Sequence, residues 1–192
     1  GMHSLWCRSG RRGDVTLQIV GPLGIWFEVL DDALLVGALQ EDGAAWRHNS
    51  VQHSCEARQI RVNDQVAEVD GMRGEPALLA YLAKRPERKS ITLRRPQELA
   101  VSIDKRGMRL GVDVSWSRPS GVLTVQGVVE GAVFEHNRSA RSKEEQLQKH
   151  DRIIEVNGVN GVGRPDSVVS ILEAAETCVI KFHRQKVHKC EL

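Results

Sequence analysis

The stretch Gln59-Ile-Arg-Val-Asn-Asp-Gln-Val-Ala-Glu-Val-Asp-Gly71 returns in kind, 87 residues later, as Gln146-Leu-Gln-Lys-His-Asp-Arg-Ile-Ile-Glu-Val-Asn-Gly158. Further matches flank it. Gly43-Ala-Ala-Trp-Arg-His-Asn49 returns as Gly131-Ala-Val-Phe-Glu-His-Asn137, and Leu23-Gly24-Ile25 as Leu110-Gly111-Val112, at offsets of 88 and 87. Ile91-Thr-Leu-Arg-Arg95 returns as Ile180-Lys-Phe-His-Arg184, at an offset of 89. Four matches in one order, with a nearly constant offset, identify an internal duplication. The chain therefore reads as two copies, residues 14–95 and 98–185, divided at Arg94-Arg95-Pro96-Gln97-Glu98. Polar tails without a hydrophobic period cover 1–13 and 186–192.

Each copy reads as short strands with a helix late in the unit. Val15–Val20 alternates with period two, as a half-buried strand does. Gly24–Leu30, Leu34–Gln40, Gln65–Val69 and Ser90–Arg94 read as further strands. Gly43–Arg47 reads as a short helix followed by a polar loop from about Asn49 to Ala57. Pro76–Lys84 is the clearest helix, with proline in its first turn and Leu79, Leu82 and Ala83 as an inward stripe. Pro165–Ala175 is its counterpart, and Asp166 suits the positive end of that helix dipole. The fold class is mainly β with two helices per domain, an α+β arrangement of two tandem, partly open barrels or sandwiches.

Composition narrows the function classes. Hydrophobic residues make up 41% of the 192, enough to fill a core and to argue against global disorder. A formal charge of +2 lacks the one-sided basic excess of nucleic-acid binders. No apolar run approaches the roughly 18 residues of a membrane span, and no signal-peptide h-region is visible. A cytoplasmic location is expected, peripheral to a membrane at most through partners. Cys7, Cys55, Cys178 and Cys190 are too sparse and scattered for a disulfide scaffold or a zinc site, so reduced thiols are expected. No nucleophile elbow, P-loop or metal spacing occurs, and neither catalysis nor a cofactor is expected. His48 and His136 recur at matching positions and read as cap or surface residues rather than ligands.

The order of these motifs resembles the PDZ family over about 170 residues, more closely in the second copy. The family's x-Φ-G-Φ loop stands here as Pro22-Leu23-Gly24-Ile25 and Arg109-Leu110-Gly111-Val112. Its Φ-x-x-G-D-x-I-x-x-V-N-G segment stands at 60–71 and 147–158. Asn63 and His150 replace the glycine before the aspartate. Both types are enriched among non-glycine residues at positive φ, so the same turn is expected. Pro22 lacks an amide N–H, which is expected to leave the first loop with fewer donors.

The resemblance implies binding of C-terminal peptides by strand addition to an open sheet edge. A glycine-containing loop would cradle the terminal carboxylate on its amides. It implies a site of Leu23, Gly24, Ile25, Phe27, Leu79 and Leu82 in the first copy. In the second it implies Arg106, Leu110, Gly111, Val112, Val114, Asp166, Val169 and Leu172. Lys105 and Arg106 precede the second loop as basic aids to the carboxylate, so the second copy is the expected binder. Asp166 or Pro165 would face the ligand's third-from-last residue. The expected function is a non-enzymatic adaptor or scaffold for the C-terminal tails of other proteins. The alternatives are an assembly or dimerisation module with degenerate grooves, or the regulatory PDZ segment of a larger enzyme such as a protease. The sequence's own end, His188-Lys189-Cys190-Glu191-Leu192, is itself a candidate ligand for a neighbouring molecule.

Overall fold

A computed structural model describes residues 13–186. The expectations placed on Leu192, on Cys7 and Cys190, and on the outer parts of both tails lie outside the described residues. The chain divides between Arg95 and Pro96 into two compact units.

The first unit runs β1 (Asp14–Ile19), β2 (Ile25–Leu30), β3 (Ala33–Leu39), α1 (Ala44–Val51), β4 (Gln65–Val69), α2 (Pro76–Lys84) and β5 (Lys89–Arg94). The second runs β6 (Gln97–Asp104), β7 (Val112–Ser115), β8 (Leu123–Val128), α3 (Ala132–Ser139), β9 (Arg152–Val156), β10 (Val159–Asn160), α4 (Pro165–Ala174) and β11 (Thr177–Arg184). Both sheets are antiparallel in every pairing. The strand orders are β1-β5-β4-β3-β2 and β6-β11-β9-β8-β7, with β10 pairing β9. Neither sheet closes on itself. Where partly open barrels or sandwiches were expected, each unit has an open antiparallel sheet, and β2 and β7 are edge strands.

Each unit has its own core. Leu34, Val36, Val66, Val69, Ile91 and Leu93 from the first sheet pack with Leu79 and Ala83 of α2. Leu123, Val125, Ile153, Val156, Ile180 and Phe182 pack with Val168 and Leu172 of α4. The predicted helix over Pro76–Lys84 is present with those bounds, because proline at the first helical turn forfeits no hydrogen bond there.

α1 extends through Val51, where the sequence suggested a loop. Ala45 is its one buried residue, so no apolar stripe advertised it. Tertiary hydrogen bonds hold it instead. Asn49 Nδ2 donates to the Ile60 carbonyl and its Oδ1 accepts the Ile60 amide, each at 2.8 Å. Asn137 makes the same two bonds to Leu147, at 2.8 and 3.0 Å. His48 and His136 bond the carbonyls of Arg58 and Glu145 at 2.9 and 2.8 Å. The repeated His-Asn pair therefore ties the first helix of each unit to the loop that follows it.

The segment that revealed the repeat contains a turn that ends, in both copies, on a buried aspartate. Asn63 and His150 adopt φ of 74° and 73°, as their residue types suggested. The aspartate that follows is clamped. Arg95 meets both carboxylate oxygens of Asp64, at 2.8 and 2.6 Å, and donates to the Gln59 carbonyl. Arg184 meets Asp151 at 2.7 Å on both oxygens and donates to the Gln146 carbonyl. Burial pushes the Asp64 carboxyl up to about 6, against the opposing pull of Arg95 and the Arg61 amide.

Candidate functional site

The loop between β6 and β7 is shaped by what its carbonyls do. The first-turn amides of a helix have no partner within the helix. Those of Ala132 and Val133 in α3 donate to the carbonyls of Arg109 and Leu110, at 2.9 and 3.0 Å. The Val129 amide donates to the Gly111 carbonyl at 3.0 Å. In a trans peptide the N–H points opposite to the C=O of the same plane. Three carbonyls drawn inward therefore turn three successive amides outward, those of Leu110, Gly111 and Val112. Among the described residues no backbone carbonyl accepts the Leu110 or Gly111 amide. Such a run of N–H groups is a nest for an anion.

Glycine at 111 is required by the loop's packing as well as by its turn. Its φ is 76°, and a Cβ there would lie 2.7 Å from the Val129 oxygen and 2.9 Å from Gly131 Cα. Gly24 repeats the arrangement with φ of 64° and Gly43 Cα at 2.7 Å from a would-be Cβ. The sequence suggested that these glycines admit a ligand. Their first task is to let the loop lie against the backbone at the start of the helix.

Pro22 does not reduce the donor count. Ala44 and Ala45 donate to the carbonyls of Pro22 and Leu23, and Gln40 to that of Gly24. By the same geometry the outward amides belong to Leu23, Gly24 and Ile25. The N–H that Pro22 lacks is not among them.

Beside the second loop lies a cavity of about 420 Å³. Val112 and Val114 of β7 form one wall, Val169, Leu172 and Glu173 of α4 the other, and Leu110 part of the floor. All five apolar residues expected to flank a groove in this copy line the one cavity. Lys105, Met108 and Arg109 border it at the loop end. The Lys105 ammonium is buried and donates to the Glu173 carbonyl at 2.9 Å, fixing the last turn of α4 to the end of β6. Arg109 Nε donates to the Glu130 carbonyl at 2.8 Å. Burial pushes the nearby Cys178 thiol up, while the Lys105 charge pulls it down.

Two expected members lie elsewhere. Arg106 is not in this cavity; with φ of 51° it turns away, pairs with Asp104 at 3.5 Å and borders a separate polar hollow with Glu135 and His136. The cation at the loop is its neighbour Lys105, which lines the cavity while the turn at Arg106 carries that side chain away. Asp166 is exposed in the first turn of α4 and does not line the cavity, and Pro165 is buried.

In the first unit a smaller cavity, about 280 Å³, is lined by Pro22, Leu23, Gly24, Ile25, Trp26, Phe27, Gln40, Ala83 and Lys84. Leu79 and Leu82, expected as its helical wall, are not part of it. Leu79 is only 4% exposed and belongs to the core, and Leu82 packs against that core. Aligning the two helices at Pro76 and Pro165 places Ala80 and Ala83 where α4 has Val169 and Leu172. The wall is truncated to methyl groups. Strand alternation along Ile25–Leu30 did not betray this, because the deficit lies on the helix.

Among the described residues no group of three or more His, Cys, Asp or Glu side chains could hold a metal. Cys55 and Cys178 are free thiols. No helix among these residues is long and apolar enough to cross a membrane. No protein-family model and no curated protein matches the chain. Among solved structures it is similar to INAD PDZ45 in complex with NG2 peptide, at 14% identity over 93% of each chain, with a TM-score of 0.38. It is also similar to MUPP1 PDZ4, at 21% identity over 49% of this chain and 81% of that one, again with a TM-score of 0.38. At those values neither likeness carries an argument of its own.

Proposed function

We propose that the chain is a non-enzymatic interaction module of PDZ type, with the second unit binding the C-terminal tails of other proteins by strand addition to β7. One observation carries this reading. The outward amides of Leu110, Gly111 and Val112 stand at the start of a free edge strand, beside an apolar cavity. A terminal carboxylate would accept those amides, with Lys105 and Arg109 adding positive charge. The last side chain would enter the cavity between Val112, Val114, Val169 and Leu172.

Burying that side chain contributes about 1.5–3 kcal/mol, and each charge-assisted bond about 1.5–3 kcal/mol. Association and ordering costs offset much of this, so a dissociation constant near micromolar, about −8 kcal/mol, is expected. Such an affinity suits a reversible adaptor. The truncated wall at Ala80 and Ala83 favours a second reading for the first unit, as an assembly module. Its β2 edge is free and carries Trp26 and Val29, 60% and 64% exposed.

Fluorescence anisotropy on the full chain tests the proposal. Labelled peptides ending in leucine are compared as free acids and as terminal amides. At least a tenfold loss on amidation is expected. Equal binding of the two forms, or none by either, refutes the reading.

A further inference from the structure

Resting on this reading of the second unit, we infer that its groove selects tails carrying a basic residue immediately before an apolar C-terminal residue, with Asp113 as the selecting side chain. A carboxylate held at the start of β7 obliges the ligand to leave along β7 towards Ser115, antiparallel to it. Side chains of a strand alternate between faces. Val112 and Val114 line the cavity, so Asp113 and Ser115 stand on the other face. A ligand whose last side chain enters the cavity must turn its penultimate side chain outward, opposite Asp113.

The surroundings of Asp113 leave it available. It is exposed, and its cross-strand neighbour is Gly127, which offers no side chain. A Cβ at Gly127 would meet nothing within 4 Å. Ser115, next on that face, accepts a hydrogen bond from Gln126 at 2.7 Å and brings no charge. Among the described residues no ion pair engages Asp113. Asp166, exposed one turn before Val169 on α4, puts a second negative charge towards the far end of the groove. At the loop end the cations Lys105 and Arg109 stand beside the acids Glu173 and Glu176, so the charges there are balanced in number. The uncompensated charge is thus the negative one of Asp113 and Asp166, along the residues before the ligand's last. An opposite charge directly across an antiparallel pair attracts and a like charge repels.

The test uses the full chain and two labelled hexapeptides with free carboxylates, one ending Ala-Lys-Leu and the other Ala-Glu-Leu. The lysine peptide is expected to bind about fivefold more tightly at low salt, an exposed charge pair being modest. The gap should narrow as salt screens it. Asp113→Lys should reverse the order of the two peptides. Its fold is checked by circular dichroism, and the salt dependence of the unsubstituted protein supplies a readout independent of the variant. If both peptides bind equally and both lose binding on amidation, the inference falls and the proposed function stands. If neither free acid binds, both fall.

Discussion

Gly111→Ala brings the structural argument for the binding loop to a single atom. The added Cβ would meet the Val129 oxygen at 2.7 Å, the Glu130 oxygen at 2.9 Å and Gly131 Cα at 2.9 Å. All three contacts are with backbone, which cannot swing aside as a side-chain tip would. Holding an L-residue at positive φ costs about 1–2 kcal/mol by itself. Relief of the contacts requires the loop to move off the start of α3. That weakens the bonds from Val129, Ala132 and Val133 into the loop, each worth about 1 kcal/mol. The expected total is about 2–5 kcal/mol. For a unit of this size the corresponding fall in Tm is roughly 10–40 °C. Gly127→Ala is the matched control, since nothing lies within 4 Å of its would-be Cβ and its φ is not positive. Differential scanning calorimetry on the full chain would separate the second unit's transition from the first. Binding of a free-acid peptide should fall with the displaced amides. A Gly111→Ala protein as stable as Gly127→Ala, with peptide affinity intact, would refute the packing argument and the orientation of the amides drawn from it.

Further outcomes follow from other residues. Asn137→Ala strips both partners from the buried Leu147 backbone, so a loss of about 2–3 kcal/mol is expected in urea unfolding, and Asn49→Ala should lose a similar amount in the first unit. The Asp64 carboxyl, raised by burial, binds a proton more tightly folded than unfolded, so its contribution to stability grows as pH falls through about 6. The native protein should therefore gain about 1 kcal/mol relative to Asp64→Asn between pH 7.5 and 5; a change of opposite sign would mean that the Arg95 pair outweighs burial. Val169→Arg fills the groove from its half-buried lip, and should cost at least tenfold in peptide affinity with less than about 1 kcal/mol in stability. Unaltered binding by that variant would place the ligand elsewhere.

Much of the architecture is legible in the sequence because it rests on local chemistry. Proline opens both late helices, and Asn63 and His150 tolerate the positive φ that the turn before the buried aspartate demands. Val112 and Val114 reach the cavity through strand alternation alone. The misplaced features depend on partners distant in the chain. α1 outruns its apolar signal because His48 and Asn49 bond a loop about ten residues further on. The helical wall of the first groove was set one residue off, at Leu79 and Leu82, since apolarity marks core and groove positions alike. The Arg95–Asp64 and Arg184–Asp151 clamps were visible as repeated residues, but their pairing spans 31 and 33 positions and has no local signature. Pro22 shows the reverse error, in which a correct rule about its missing N–H was applied to a position that does not aim an amide at the site.

The central claim is that three successive amides at the head of β7 receive a chain terminus. Amide chemical shifts of the full chain, followed while a leucine-terminated peptide is added, address it directly. The Leu110, Gly111 and Val112 resonances should move most with the free acid and stay nearly still with the terminal amide. Movement of those three signals by both peptides alike, or by neither while the peptide binds elsewhere, would contradict it.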